Sequence, residues 1–185
     1  SATGNTNLSV IDVTGLAAGN STNYGITLAQ GQGTGIITNT IAVVLGDSSN
    51  LNGAVSNLST STVTVTGTIY GHAAGALASN ALALSNAIVG YSGTITGSVG
   101  VTNSNGLVVD LQTVSSSGAT NLNISDVTAL AAGSSSNIAV TFAAGQGTGI
   151  YSNNVSVVFG DSSSLNGAVT NLSTSTVTVT GTIYG

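Results

Sequence analysis

Apolar and polar residues alternate with a period of two along most of this chain. Ile138, Val140 and Phe142 alternate with Ala139 and Thr141, Val155, Val157 and Phe159 with Ser156 and Val158, and Val177 and Val179 with Thr176, Thr178 and Thr180. A strand sends successive side chains to opposite faces, so this pattern predicts strands with one buried face. Further strands are predicted over residues 81–84, 98–102, 107–113 and 122–127. Turn chemistry separates them at Asn103-Ser104-Asn105-Gly106, Ala131-Ala132-Gly133-Ser134, Ala144-Gly145-Gln146-Gly147 and Gly160-Asp161-Ser162-Ser163. Short strands at this spacing predict an all-β chain folded as a β-sandwich. A parallel β-solenoid is the alternative, because Thr/Val/Asn/Gly-rich repeats also fill that fold. No helix of more than a turn or two is predicted: residues 77–87 are Ala-rich but interrupted by Ser79-Asn80 and Ser85-Asn86.

The pattern repeats. Gly31-Gln32-Gly33-Thr34-Gly35-Ile36 returns at 145–150, and the fourteen residues from Leu58 to Gly71 return unchanged at 172–185. Both offsets are 114, and residues 1–71 match residues 115–185 at 49 of 71 positions without a gap. This is a tandem duplication. Residues 72–185 then form one whole repeat, and residues 1–71 form the C-terminal part of another, expected to lack its opening strands. Substitutions between the copies, such as Leu28 to Phe142, Leu45 to Phe159 and Tyr24 to Ile138, keep an apolar residue on the inward positions. A 114-residue period with no shorter one inside it disfavours the solenoid.

Composition narrows the chemistry. The 185 residues contain no Lys, Arg, Pro, Cys, Met or Trp, and the net charge of −5 comes from five aspartates (Asp12, Asp47, Asp110, Asp126, Asp161). Without cations to displace counterions from phosphates, nucleic acids and anionic lipid surfaces are excluded as expected partners. A Schiff base, an arginine clamp and a thiolate nucleophile are equally unavailable. The 41% hydrophobic content suffices for a core, while the charged content of 3% leaves Ser, Thr, Asn and Gly to make the polar surface. No apolar run reaches the roughly 18–20 residues of a membrane span and no basic n-region precedes one. With Ser1 rather than Met at its start, the chain reads as a mature or partial product.

The order of motifs in the whole repeat resembles a known family. Residues 81–90 (Ala-Leu-Ala-Leu-Ser-Asn-Ala-Ile-Val-Gly) precede Ser98-Val99-Gly100-Val101-Thr102-Asn103 and Leu107-Val108-Val109-Asp110-Leu111. This is similar to the opening of bacterial choice-of-anchor D type, Hydin-like immunoglobulin-fold repeats. The closing Val-Thr-Val-Thr-Gly-Thr-Ile-Tyr-Gly, present twice, is similar to the strand that ends such repeats in large secreted surface proteins. The resemblance implies tandem immunoglobulin-like β-sandwich repeats in an extracellular array, with no catalytic residues to carry over. The missing Lys, Arg and Pro depart from that family.

Candidate sites are few. Asp47-Ser48-Ser49-Asn50-Leu51-Asn52-Gly53 carries hard oxygen ligands ahead of a turn glycine, as a calcium loop does. Its spacing departs from the EF-hand pattern, no Glu follows, and Ser164 replaces Asn50 in the second copy, so a plain Asx-turn is the expected structure. His72 stands at the repeat junction with no carboxylate near it in sequence and is expected to be a linker or packing residue. No Gly-x-Ser-x-Gly elbow accompanies it. Gly31-Gln32-Gly33-Thr34-Gly35 lies between two strands rather than before a helix, so it reads as a hairpin loop and not a phosphate cradle. Tyr70 and Tyr184 close equivalent strands and are expected to pack at junctions. Six Asn-x-Ser/Thr sequons (Asn7, Asn20, Asn57, Asn123, Asn154, Asn171) are of the number such a composition produces by chance. No catalytic, cofactor-binding or metal-binding residue is expected; calcium is the one cofactor the oxygen chemistry raises.

What remains is the absence of edge protection. Natural sandwiches guard strand edges with Lys, Pro or inward charge, and this chain has no Lys or Pro. Open edges and an incomplete leading repeat together predict strand complementation or head-to-tail stacking of the sandwiches, with the chain itself as partner, either as a homopolymer or as consecutive repeats. The expected function is a non-enzymatic structural subunit or repeat module of an extracellular fibre, sheath, matrix or surface layer. The stalk of a giant adhesin is the second reading. A carbohydrate-binding module is the third, and poverty in aromatics weighs against it.

Overall fold

The computed structural model describes residues 2, 3 and 7–185, and every described element is a strand or an irregular connection. The chain divides into two units, Ser1–Ile69 and Tyr70–Gly185.

The first unit contains β1 (Ala2–Thr3), β2 (Leu8–Ile11), β3 (Gly25–Leu28), β4 (Gly35–Leu45) and β5 (Ser59–Ile69). β1, β4 and β5 form one antiparallel sheet in that order, and β2 and β3 form a second. The second unit contains β6 (Gly75–Leu77), β7 (Ala81–Ala83), β8 (Ala87–Ile88), β9 (Ile95–Asn103), β10 (Leu111–Ser117), β11 (Leu122–Ser125), β12 (Ser135–Phe142), β13 (Gly149–Asp161) and β14 (Ser173–Tyr184). Its sheets run β10-β13-β14-β7, with β8 also on β14, and β11-β12-β9-β6.

The second unit is an immunoglobulin-like β-sandwich. Val155, Val157, Phe159, Val177, Val179 and Ile183 point inward from one sheet, and Val99, Val101, Ile138, Val140 and Phe142 from the other. These are the alternating positions of the sequence pattern, now filling the space between two layers. All pairings between its strands are antiparallel except those of β14 with β7 and β8, which are parallel, as is the isolated bridge of Gly71 with Val108. No solenoid is formed.

The 114-residue offset carries over into structure. The β4–β5 register, from Gly35 opposite Ile69 to Leu45 opposite Ser59, is that of β13 and β14, from Gly149 opposite Ile183 to Phe159 opposite Ser173. The β2–β3 register likewise matches β11–β12. The described strands of the first unit are thus counterparts of β10 to β14, and counterparts of β6 to β9 are not among them.

Three local expectations are corrected. The Gly31–Gly35 segment and its copy at 145–149 are not hairpin loops, because β3 pairs with β2 and β12 with β9 and β11, so each segment crosses from one sheet to the other. Gly31 (φ 74°) and Gly145 (φ 72°) take the left-handed conformation that turns the chain at this crossing. The turn expected at 160–163 begins later, since β13 runs through Asp161, which lies opposite Leu111. The strand expected over 107–113 begins at Leu111, because Val108 makes only an isolated bridge to Gly71.

Candidate functional site

The two units bury the same positions to different degrees. Phe159 is 2% exposed and its counterpart Leu45 47%; Val177 is 2% exposed and Val63 43%. Ile26 and Leu28 are exposed where Val140 and Phe142 are buried. The residues are apolar in both copies, so the difference lies in what covers them.

In the second unit the cover is the stretch from His72 to Asn103. β7 lies parallel to β14, with Ala81, Leu82 and Ala83 opposite Thr178, Val179 and Thr180. β9 pairs with β12 along its length, from Ser135 opposite Thr102 to Phe142 opposite Ile95. Gly75 sits so close to the Phe159 ring and to Leu111 that any Cβ there would overlap the ring. Glycine lets the first strand press onto the core.

The first unit presents the same surface uncovered. β5 is an edge strand, and β3 has only β2 beside it among the described residues. Where the connection between β2 and β3 faces the end of β4 and the loop after it lies a groove of about 410 Å³, lined by Val13, Leu16, Tyr24, Leu45 and Asp47 among others. Their counterparts Val127, Leu130, Ile138, Phe159 and Asp161 are all buried.

The polar end of the groove is set by an aspartate that recurs in both copies. Asp161 accepts hydrogen bonds from the Ala73 N–H (2.8 Å), the Val169 N–H (2.8 Å) and the His72 ring at Nδ1 (2.7 Å). Burial pushes its carboxyl up, but the bonds from His72 and from the Val169 and Ala73 amides outweigh this and hold it below its ordinary value. Asp47 keeps one of these contacts, accepting from the Val55 N–H at 3.0 Å, and its side chain is exposed. In both loops Ser49 or Ser163 accepts from the amide two residues on, Leu51 or Leu165. The aspartate therefore closes the loop from end to end by reaching eight residues forward, and serine makes the local turn that had been expected of the aspartate.

A buried asparagine ties the covering stretch down, and a half-buried aspartate makes a separate cluster outside that stretch. Asn103 donates from Nδ2 to the carbonyls of Val109 and Leu130 and accepts from the Ala74 N–H. Asp126 accepts from the Thr113 and Ser115 hydroxyls and the Ser115 N–H. These side chains bond backbone amides, backbone carbonyls and hydroxyls, which is the chemistry of joining segments.

Of the residues singled out in the sequence, Asp47 lies at the groove and His72 on its filled counterpart. Tyr70 and Tyr184 are both exposed, apart from the groove lining. Among the described residues no three His or Asp side chains are grouped as metal ligands. The partnership of His72 with Asp161 was missed because 89 residues separate them.

No family model matches the chain, and no curated protein matches it. Among solved structures it is similar to the ASH / PapD-like domain of human CEP192 (PapD-like domain 7), at 14% identity over 59% of this chain and 84% of that one, with a TM-score of 0.45. It is also similar to a protein of unknown function from Porphyromonas gingivalis W83, at 12% identity over 96% of this chain and 80% of that one, with a TM-score of 0.44. The sandwich assignment rests on the strand order and register given above.

Proposed function

We propose that this chain is a structural subunit or repeat module of an extracellular fibre, sheath, matrix or surface layer, assembled by β-strand complementation or by head-to-tail stacking of sandwich units. The observation that supports this reading is the groove of the first unit. The same unit offers the open edges of β5 and β3 and exposed apolar residues whose counterparts in the second unit are covered by residues 72–103. Strand addition of this kind gives affinity through main-chain hydrogen bonds and specificity through alternate side chains. The choice-of-anchor D resemblance agrees with such a role, and the work is mechanical rather than catalytic. A surface without Lys or Arg offers trypsin-like proteases no cleavage site, which suits a persistent extracellular assembly.

Within the 185 residues there are two accepting surfaces, in residues 1–71 and 115–185, and one covering stretch, 72–103. Exchanging that stretch between copies fills one surface by emptying another. The complementing segment is therefore an additional one of the same pattern, as an array of consecutive repeats supplies. That same tandem order favours a stalk as the second reading.

Electron microscopy and light scattering of the chain joined to one further copy of residues 72–114 at its N-terminus test the reading. Elongated particles with both units resistant to proteolysis are expected. A first unit that stays as protease-sensitive as before would reject it. With both grooves filled, a stalk would remain monomeric at all concentrations, whereas a fibre former associates by head-to-tail stacking of its closed units.

A further inference from the structure

Resting on that reading, we infer that Asp47 is the polar anchor of the accepting groove, and that it selects a donor segment opening with a His-Ala pair like His72-Ala73. The occupant is a partner strand segment with the pattern of residues 72–103.

The second unit shows how such a segment is held. One carboxylate, Asp161, receives two donors from the start of the segment, the His72 imidazole and the Ala73 amide, and one from its own loop, the Val169 amide. With the aspartate ionised it is an acceptor only, so the imidazole donates from Nδ1. Asp47 occupies the equivalent place at the end of β4, in the same Gly-Asp-Ser-Ser sequence, and retains the loop contact to Val55. Among the described residues that amide is the one hydrogen-bond donor to its carboxylate. The acceptor positions used by the segment in the second unit thus face the groove in the first.

The apolar lining fits the same occupant. Leu45 takes the place of Phe159, against which Gly75 packs, and Tyr24 and Leu16 replace Ile138 and Leu130. The register follows from the 114-residue offset: Ala81–Ala83 of the donor would run parallel to residues 64–66, and residues 95–102 antiparallel to residues 21–28. An apolar groove alone would accept many amphipathic strands. A carboxylate at its end, demanding two donors on adjacent residues, fixes where the segment starts and hence its register.

The test is a double-mutant cycle with the full 185-residue chain and a labelled synthetic peptide of residues 72–103, read by fluorescence anisotropy. Asp47→Ala is expected to weaken binding about tenfold, through loss of two charge-assisted hydrogen bonds. His72→Ala in the peptide is expected to weaken it about threefold. Together they should cost less than the product, because the imidazole bond can be lost only once. Hydrogen exchange at the Asp47 amide, whose bond to the Val55 carbonyl does not use the carboxylate, shows whether the loop of Asp47→Ala stays formed, which separates coupling from a collapsed loop. Independent, multiplicative effects would overturn the anchor while leaving strand acceptance standing. No binding of the unmodified peptide, against a scrambled control, would overturn both.

Discussion

His72 and Asp161 stand 89 residues apart in sequence and 2.7 Å apart in space, with the imidazole 56% exposed and the carboxylate 1%. The two partners are therefore unequal. Removing the buried acceptor strands the amides of Ala73 and Val169, whereas removing the exposed ring lets water approach one oxygen. Asp161→Ala is expected to destabilise the second unit by about 2–4 kcal/mol and His72→Ala by about 0.5–1 kcal/mol. Urea unfolding read by hydrogen exchange at the Ala73 and Val169 amides distinguishes the two. Equal losses would contradict the asymmetry.

The same carboxylate makes the second unit acid-sensitive. Its folded-state value lies below the ordinary one, so its contribution to stability is fully present above the unfolded value of about 3.9 and is lost as pH falls through the lower, folded value. Thermal unfolding between about pH 6 and 2 should therefore show a decline below about pH 4 that Asp161→Asn reduces. A decline of the same size in the variant would assign it to other carboxylates.

Gly46 and Gly160 serve as a matched pair of backbone approaches. A Cβ at Gly46 would overlap the Ser56 carbonyl, and one at Gly160 the Thr170 carbonyl. The hydrogen bonds Asp47 N to Val55 O and Leu58 N to Leu45 O flank the first contact, and Asp161 N to Val169 O and Leu172 N to Phe159 O flank the second. Backbone held on both sides cannot step aside. Gly46→Ala and Gly160→Ala should each cost about 1–3 kcal/mol, while Gly93→Ala, which meets nothing within 4 Å, should stay within about 0.5 kcal/mol. Chemical denaturation of the three variants checks this.

What the sequence made legible follows the length and alternation of the strands. β12, β13 and β14 carry several apolar residues at period two, and their inward positions are the buried ones. β6 and β8 are two or three residues long and contain Gly and Ala, so no alternation could mark them. The glycines at 31–35 signal a reversal but do not say whether the chain returns to the same sheet, because that depends on pairings made elsewhere. That the long strands of the first unit would repeat those of the second was readable from the 114-residue offset alone. The groove's anchor was not, since the role of Asp47 becomes visible only when Asp161 is seen holding His72 and Ala73. The one local trace was the retention of Gly-Asp-Ser-Ser in both copies while neighbouring positions vary.

Leu45 and Phe159 occupy the same repeat position and face different surroundings. Phe159 packs against Gly75 and Leu111 within the closed core, so Phe159→Ala should cost about 3–5 kcal/mol. Leu45 is nearly half exposed on the groove, so Leu45→Ala should cost under about 1 kcal/mol in the chain as it stands. Once a segment of the 72–103 pattern fills the groove, Leu45 becomes core, and its truncation should then approach the range of about 2–5 kcal/mol seen for buried leucines. Unfolding of Leu45→Ala with and without the bound segment measures that increase directly. A cost that stays small with the segment bound would mean that the strand lies elsewhere on the unit and that Leu45 does not line its seat.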